Sequence, residues 1–208
     1  MRNQDNVIQQ DRSNQTFEDP PIAKALFGNT RWAWIWLILR LYAGYEWITA
    51  GVEKLQSPAW VGSKAGTAMT GFVQGALSKT GGAHPTVQSW YASFLQGAVL
   101  PHIVAWSYLI SIAETLVGIG LVLGIFTGIT AFFGSIMNMN YLLAGAVSTN
   151  PILFAIETFL VLAWKIAGWW GLDRWILPLL GTPWKPGLIF ERGDRGAGQQ
   201  PTHQSGEA

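Results

Sequence analysis

Cysteine is absent from all 208 residues. That excludes a disulfide scaffold, an iron–sulfur cluster held on thiolates, an enzyme persulfide and any cysteine nucleophile. Charge is also scarce. Asp, Glu, Lys and Arg make up 12%, about half of what a soluble domain carries. The 13 basic and 12 acidic residues nearly cancel, which argues against a nucleic-acid binder and against an acidic disordered chain. Histidine is limited to His84, His102 and His203, in a loop, at the edge of an apolar stretch and in the tail. Membrane-buried haem takes axial ligands from inside a bundle, so two-haem electron transfer across this chain is excluded. The sequence has no metal-ligand cluster and no phosphate-binding Gly-rich motif between a strand and a helix.

What is present is apolar and aromatic: half the residues are hydrophobic, with 12 Trp and 24 Gly. Residues 103–147 hold one carboxylate, Glu114, while both tails are crowded with charge. Four apolar stretches stand near the ~20 residues that cross a bilayer: Trp32–Val52, Ile103–Leu123, Ile129–Val147 and Ile152–Leu172. The short turn Gly124–Gly128 makes the second and third an antiparallel hairpin. Asn150 is placed to cap the fourth, with Pro151 at its first turn. Trp32, Trp34 and Trp36 open the first stretch, and Trp169, Trp170 and Trp175 close the last. Amphipathic rings sit this way at membrane–water interfaces.

The expected fold is therefore all-α: a four-helix transmembrane bundle with a long helical extracytoplasmic loop between helices 1 and 2. Residues 1–30 read as a cytoplasmic N-terminal arm with no secretory-signal pattern, 31–185 as the membrane domain, and 186–208 as a flexible tail. Lys24, Arg31, Arg174 and Lys185 flank the spans on the tail side, against Lys54 and Lys64 in the first loop. By the positive-inside rule both termini are cytoplasmic. Two amphipathic helices, Thr67–Leu77 and Pro85–Leu100, are expected in that loop, lying on the outer membrane face. In the second, Val87, Trp90, Phe94 and Ala98 recur at helical spacing.

Ionisable groups inside a span cost ~2.5–3.5 kcal/mol each on insertion scales, so each needs a partner or a purpose. Arg40, Glu46, Glu114, Glu157 and Lys165 stand within the spans. Arg40 and Glu114 lie near the middle of their stretches, which predicts an Arg40–Glu114 ion pair, either a working pair or one that only fixes packing. Small and polar residues form stripes: Ser107, Ser111, Glu114 and Gly118 on one helix, and Gly134, Asn138, Tyr141 and Gly145 on the next. Such stripes alone indicate a tight bundle. The number of charges exceeds that need. Glu46 and Glu157, with Asn140 and Tyr141 facing them and Glu53 and Lys54 at the mouth, outline a polar cavity beneath the loop. Two nearby carboxylates there would make one a proton donor or acceptor; a cavity used only for subunit packing is the rival. Arg40, Glu46, Glu114 and Glu157 are the catalytic candidates, and Lys54, Asn138, Asn140 and Tyr141 the substrate-binding candidates. If the chain does redox chemistry, a lipid-soluble quinone fits best, with no haem, iron–sulfur cluster or metal.

Short segments in order carry a resemblance. They are Arg40, then Gly51-Val52-Glu53-Lys54-Leu55, then Ala113-Glu114-Thr115-Leu116-Val117-Gly118, then Leu123-Gly124-x-x-Thr127. Asn138-Met139-Asn140-Tyr141-Leu142-Leu143-Ala144-Gly145 and Ser148-Thr149-Asn150-Pro151 follow. Across roughly residues 31–185 the chain resembles the DoxX/DoxD family of small four-span bacterial and archaeal membrane proteins. The resemblance implies a multi-pass protein of a prokaryotic cell membrane. It also implies kinship with a membrane subunit that passes electrons from thiosulfate to quinone, and with members that link thiol- and oxidant-handling enzymes. The family's motif residues fall here on Arg40, Gly51, Lys54, Glu114 and Gly118. Partners implied are the bilayer, a second redox subunit and a small anionic sulfur substrate; nucleic acid is not among them. Two functions stay open: a redox-complex subunit delivering electrons from a sulfur compound to quinone, or a non-enzymatic anchor or assembly subunit of a larger complex. A transporter is less favoured, because paired Pro/Gly-broken spans are lacking.

Overall fold

The computed structural model describes residues 19–181. The start of the N-terminal arm, the tail 186–208, and Lys185 and His203 lie outside the described residues. The described chain is all-helical, without strands. Helix α1 (Pro21–Gly28) opens on a proline and packs back on the bundle, Leu26 O accepting from the Trp36 indole N–H at 2.9 Å. The end of the expected arm is thus helical. Trp36 is buried rather than interfacial, whereas Trp34, Trp170 and Trp175 are exposed.

After one 3-10 turn (Thr30–Trp32), α2 runs over Ala33–Gln56. A lid follows, with α3 at Thr67–Leu77 and α4 at Ser89–Phe94. The chain then passes through a π turn, Leu95–Val99, and a 3-10 turn, Leu100–His102, into α5 (Ile103–Leu123). Pro101 has no N–H to continue the α ladder, and the wider π turn absorbs the mismatch. Val87, Tyr91, Leu95 and Val99 face inward, while Trp90 and Phe94 are exposed.

Helix α5 ends at Gly124, whose φ of +67 closes the helix, and α6 (Thr127–Leu143) returns as expected of a hairpin. The last stretch is not one helix. It comprises α7 (Asn150–Leu162), α8 (Trp164–Ala167) and the Gly168–Leu172 turn, and α9 (Asp173–Leu179) follows beyond it. Pro151 sits in the first turn of α7, but Asn150 does not cap it; its amide donates to Ala146 O at 2.8 Å. The break at Ala163 lets Trp164 pass over Gly128, where a Cβ would fall 2.5 Å from that of Trp164.

The packing follows the small residues. Helix α2 lies chiefly on α5, and α6 on α7. One apolar core joins Trp36, Ala43, Trp47, Leu121, Leu153 and Leu160 inside the bundle. A second, with Met69, Val73, Val87, Tyr91 and Leu95, seats the lid on the ends of α5 and α6. Within the described residues one helical run, Ser89–Leu123, is long and apolar enough to cross a membrane; Asn150–Leu162 is apolar but shorter.

Candidate functional site

Antiparallel α2 and α5 approach where both carry glycine. A Cβ on Gly51 would lie 2.6 Å from Thr115 N, and one on Gly118 2.6 Å from Ile48 N. This register sets which charges meet. It brings the last turn of α2 beside Glu114 and leaves Arg40, nearer the other end of α2, level with Gly124. The expected Arg40–Glu114 pair is therefore not formed. Equal distance from the middle of each stretch was a poor guide, because the helices are offset along their axes.

Glu114 is instead paired with Lys54, Nζ to Oε2 at 2.6 Å, and its other oxygen accepts from the Tyr141 hydroxyl on α6. The carboxylate is 1% exposed and Lys54 19%, so the pair is closed toward the bundle and open at the Lys54 side. The ammonium also stands 5.3 Å from the Trp60 ring centroid, a cation–π distance. Just above, Ser107 Oγ donates to Trp60 O at 2.6 Å. That bond fixes the strand of loop carrying this ring.

Tyr141 leads from the pair into a cleft of about 650 Å³ between α5 and α6, roofed by the lid. Leu109, Ala113, Leu116, Ile129, Phe133 and Ile136 form its long walls. Its few polar side chains are Thr130, Tyr91, Asn140 and Tyr141. Tyr91 donates to Asn140 O at 3.0 Å, and Asn140 donates to Ile136 O at 2.8 Å. Phe72 from the lid meets Tyr141 edge-on at 5.8 Å between centroids.

The remaining candidates lie apart. Glu157 on α7 is fully buried, accepting from the Trp47 indole N–H and, at 2.7 Å, from Asn138 Nδ2. Glu46 is half-buried, and its side chain bonds none of these groups; the expected Glu46–Glu157 cavity is not assembled. The i to i+1 step from Glu46 to Trp47 turns the two side chains to different sides of α2. Arg40 is 1% exposed at the opposite end of the bundle, donating from Nη2 to Trp170 O at 3.3 Å, with Nε and Nη1 unpartnered. It is wedged between Gly124 and Gly171.

Three participants escaped the sequence reading. Trp47 is one, although Arg40, Trp47 and Lys54 are spaced seven apart on one face of α2, a visible signal. Tyr91 stands next to Trp90, on the face that the spacing Val87, Trp90, Phe94 passes over. Asp173, 2% exposed, accepts from Phe126 N at 2.6 Å and Thr127 N at 2.8 Å, capping α6 from outside its own sequence neighbourhood. No local pattern announces that contact. Among the described residues no group of three or more His, Asp or Glu is placed to hold a metal ion. In comparisons with known proteins, the chain matches no family model, no curated protein and no solved structure.

Proposed function

We propose that the chain is a four-span membrane protein that binds quinone in the α5–α6 cleft. In this reading it serves as a redox-complex subunit passing electrons from a small sulfur compound, thiosulfate-like, to that quinone. The single observation that carries the reading is the cleft: an apolar slot lined in part by Tyr141, whose hydroxyl donates to Glu114 of the Glu114–Lys54 pair. A slot of that volume suits an isoprenoid quinone, its ring against Tyr141 and Asn140 and its chain leaving between Leu116 and Ile129. The pair behind Tyr141 is the acid–base group through which protons accompanying quinone reduction would move. Lys54, partly exposed at the lid side, is the residue to attract an anionic donor.

The span assignment rests on an inverted surface. Leu116, Ile129, Phe133 and Phe159 are each at least half exposed, while Arg40, Ser107, Ser111, Glu114, Asn138 and Glu157 are buried. In water that arrangement is unfavourable; in lipid it is the expected one. The spans are α2, α5, α6, and α7 continued by α8, with both termini cytoplasmic in a prokaryotic cell membrane. The DoxX-like segments bring Lys54 and Glu114 together, as two motif residues sharing one function would require.

Purification in mild detergent, lipid extraction and identification of bound quinone test the reading. Quinone is expected to co-purify. Tyr141→Phe, which removes the hydroxyl that would turn from Glu114 to donate to a quinone carbonyl, a hydrogen bond worth about 1 kcal/mol, is expected to weaken binding of a short-chain quinone by ~5- to 10-fold. Ala113→Phe, which fills the slot, is expected to abolish it. Thiosulfate-dependent reduction of the bound quinone, measured with and without co-purifying chains, tests the donor. A stable partner carrying its own redox centres, with no quinone on this chain, would favour the anchor reading instead.

A further inference from the structure

Outside the Lys54–Glu114–Tyr141 group, one carboxyl is enclosed with no countercharge. Glu157 has no lysine or arginine within ion-pair distance among the described residues; its two bonds come from neutral donors, Trp47 on α2 and Asn138 on α6. Gly134 on α6 closes the third side, where a Cβ would fall 2.8 Å from Glu157 Cδ. The charged and titratable groups of the surrounding elements are turned elsewhere. On α2, Arg40 donates to Trp170 O and Lys54 pairs with Glu114. On α5, Glu114 is reached only through Tyr141, whose ring lies 6.5 Å from that of Trp47. Lys165 on α8 lies past the break at Ala163 and has interactions of its own.

A dehydrated carboxylate without a cation is far costlier than a paired one. A second feature fits the neutral form. Asn138 Oδ1 is buried and has no donor. A half-turn of the amide therefore breaks no bond on its far side, and exchanges Nδ2–H donating to a carboxylate for Oδ1 accepting from a carboxylic acid. The Trp47 N–H serves either form.

We propose that Glu157 is a proton-binding site in the bundle interior: its carboxyl takes up a proton, donates the resulting O–H to Asn138 Oδ1 and releases that proton reversibly. Two buried carboxyls in one bundle thereby differ in what holds them: Glu114 has a lysine, and Glu157 has only neutral donors. This assignment stands independently of the quinone reading.

Infrared spectroscopy of the purified full chain in H2O and D2O tests it. A protonated-carboxyl stretch that shifts in D2O is expected in the wild type and in Glu114→Gln, and is expected to vanish in Glu157→Gln. Asn138→Leu, which keeps Glu157 but removes its acceptor, is expected to move the band. Labelling the wild-type protein with a hydrophobic carbodiimide, which captures protonated carboxyls, is expected to modify the peptide containing Glu157. Absence of the band, its persistence in Glu157→Gln, or modification at Glu114 in place of Glu157 would overturn the proposal.

Discussion

Lys54 and Glu114 illustrate how a buried ion pair is balanced. Dehydrating both groups costs several kcal/mol, and the 2.6 Å contact and the Tyr141 bond offset that cost. Removing the cation alone leaves a carboxylate that is 1% exposed with one neutral donor. Lys54→Met is therefore expected to destabilise the fold by about 3 kcal/mol. The double variant Lys54→Met/Glu114→Leu is expected to recover most of that loss, since replacing both charges with apolar groups is often close to neutral. Thermal unfolding in detergent across the four proteins measures the coupling; additive losses would show that the pair contributes little. Both residues were legible in the sequence as polar groups in apolar surroundings, and so were Glu157, Asn138 and Tyr141. Their pairing was not. It depends on the axial offset of α2 against α5, which is set by where Gly51 and Gly118 let the backbones touch, and no single stretch records it.

At the scale of elements, glycines of identical chemistry have opposite roles. Gly51 and Gly118 are contact points between helices, while Gly75 in α3 has nothing within 4 Å of its missing Cβ. Gly51→Ala must push Thr115 backbone aside and is expected to cost about 2 kcal/mol. Gly75→Ala is expected to be neutral or to stabilise by up to about 1 kcal/mol through helix propensity. Equal effects on unfolding would contradict the α2–α5 register that brings Lys54 to Glu114. Helix existence was readable in the long apolar stretches and the lid, where Thr67–Leu77 and Ile103–Leu123 match the expected bounds, but not for α1 or α9. Geometry inside the helical runs was not. The π turn before Pro101 and the break at Ala163 answer to packing, the first by seating Leu95 and Val99 in the lid core and the second by bringing Trp164 onto Gly128. Hydropathy counts residues and does not see either one.

For the whole molecule, the decisive property is which solvent meets the exposed apolar side chains. Leu116 is 62% exposed on α5. In water, Leu116→Arg would be close to neutral. At the centre of a span it costs ~2.5–3.5 kcal/mol on insertion, so the variant is expected to lose most of its membrane-inserted yield. The absence of native cysteine makes the topology directly measurable, because every introduced thiol is unique. Ser78 on the lid and Arg174 on α9 are both exposed, and the proposed four crossings with cytoplasmic ends would put them on opposite sides. A membrane-impermeant maleimide applied to intact cells is expected to label the Ser78→Cys variant at once, and the Arg174→Cys variant only after the cells are opened. Labelling of both from outside would remove the four-span topology. With it would go the proposed route for a quinone into the α5–α6 cleft from lipid, since Leu116 and Ile129 would then border water.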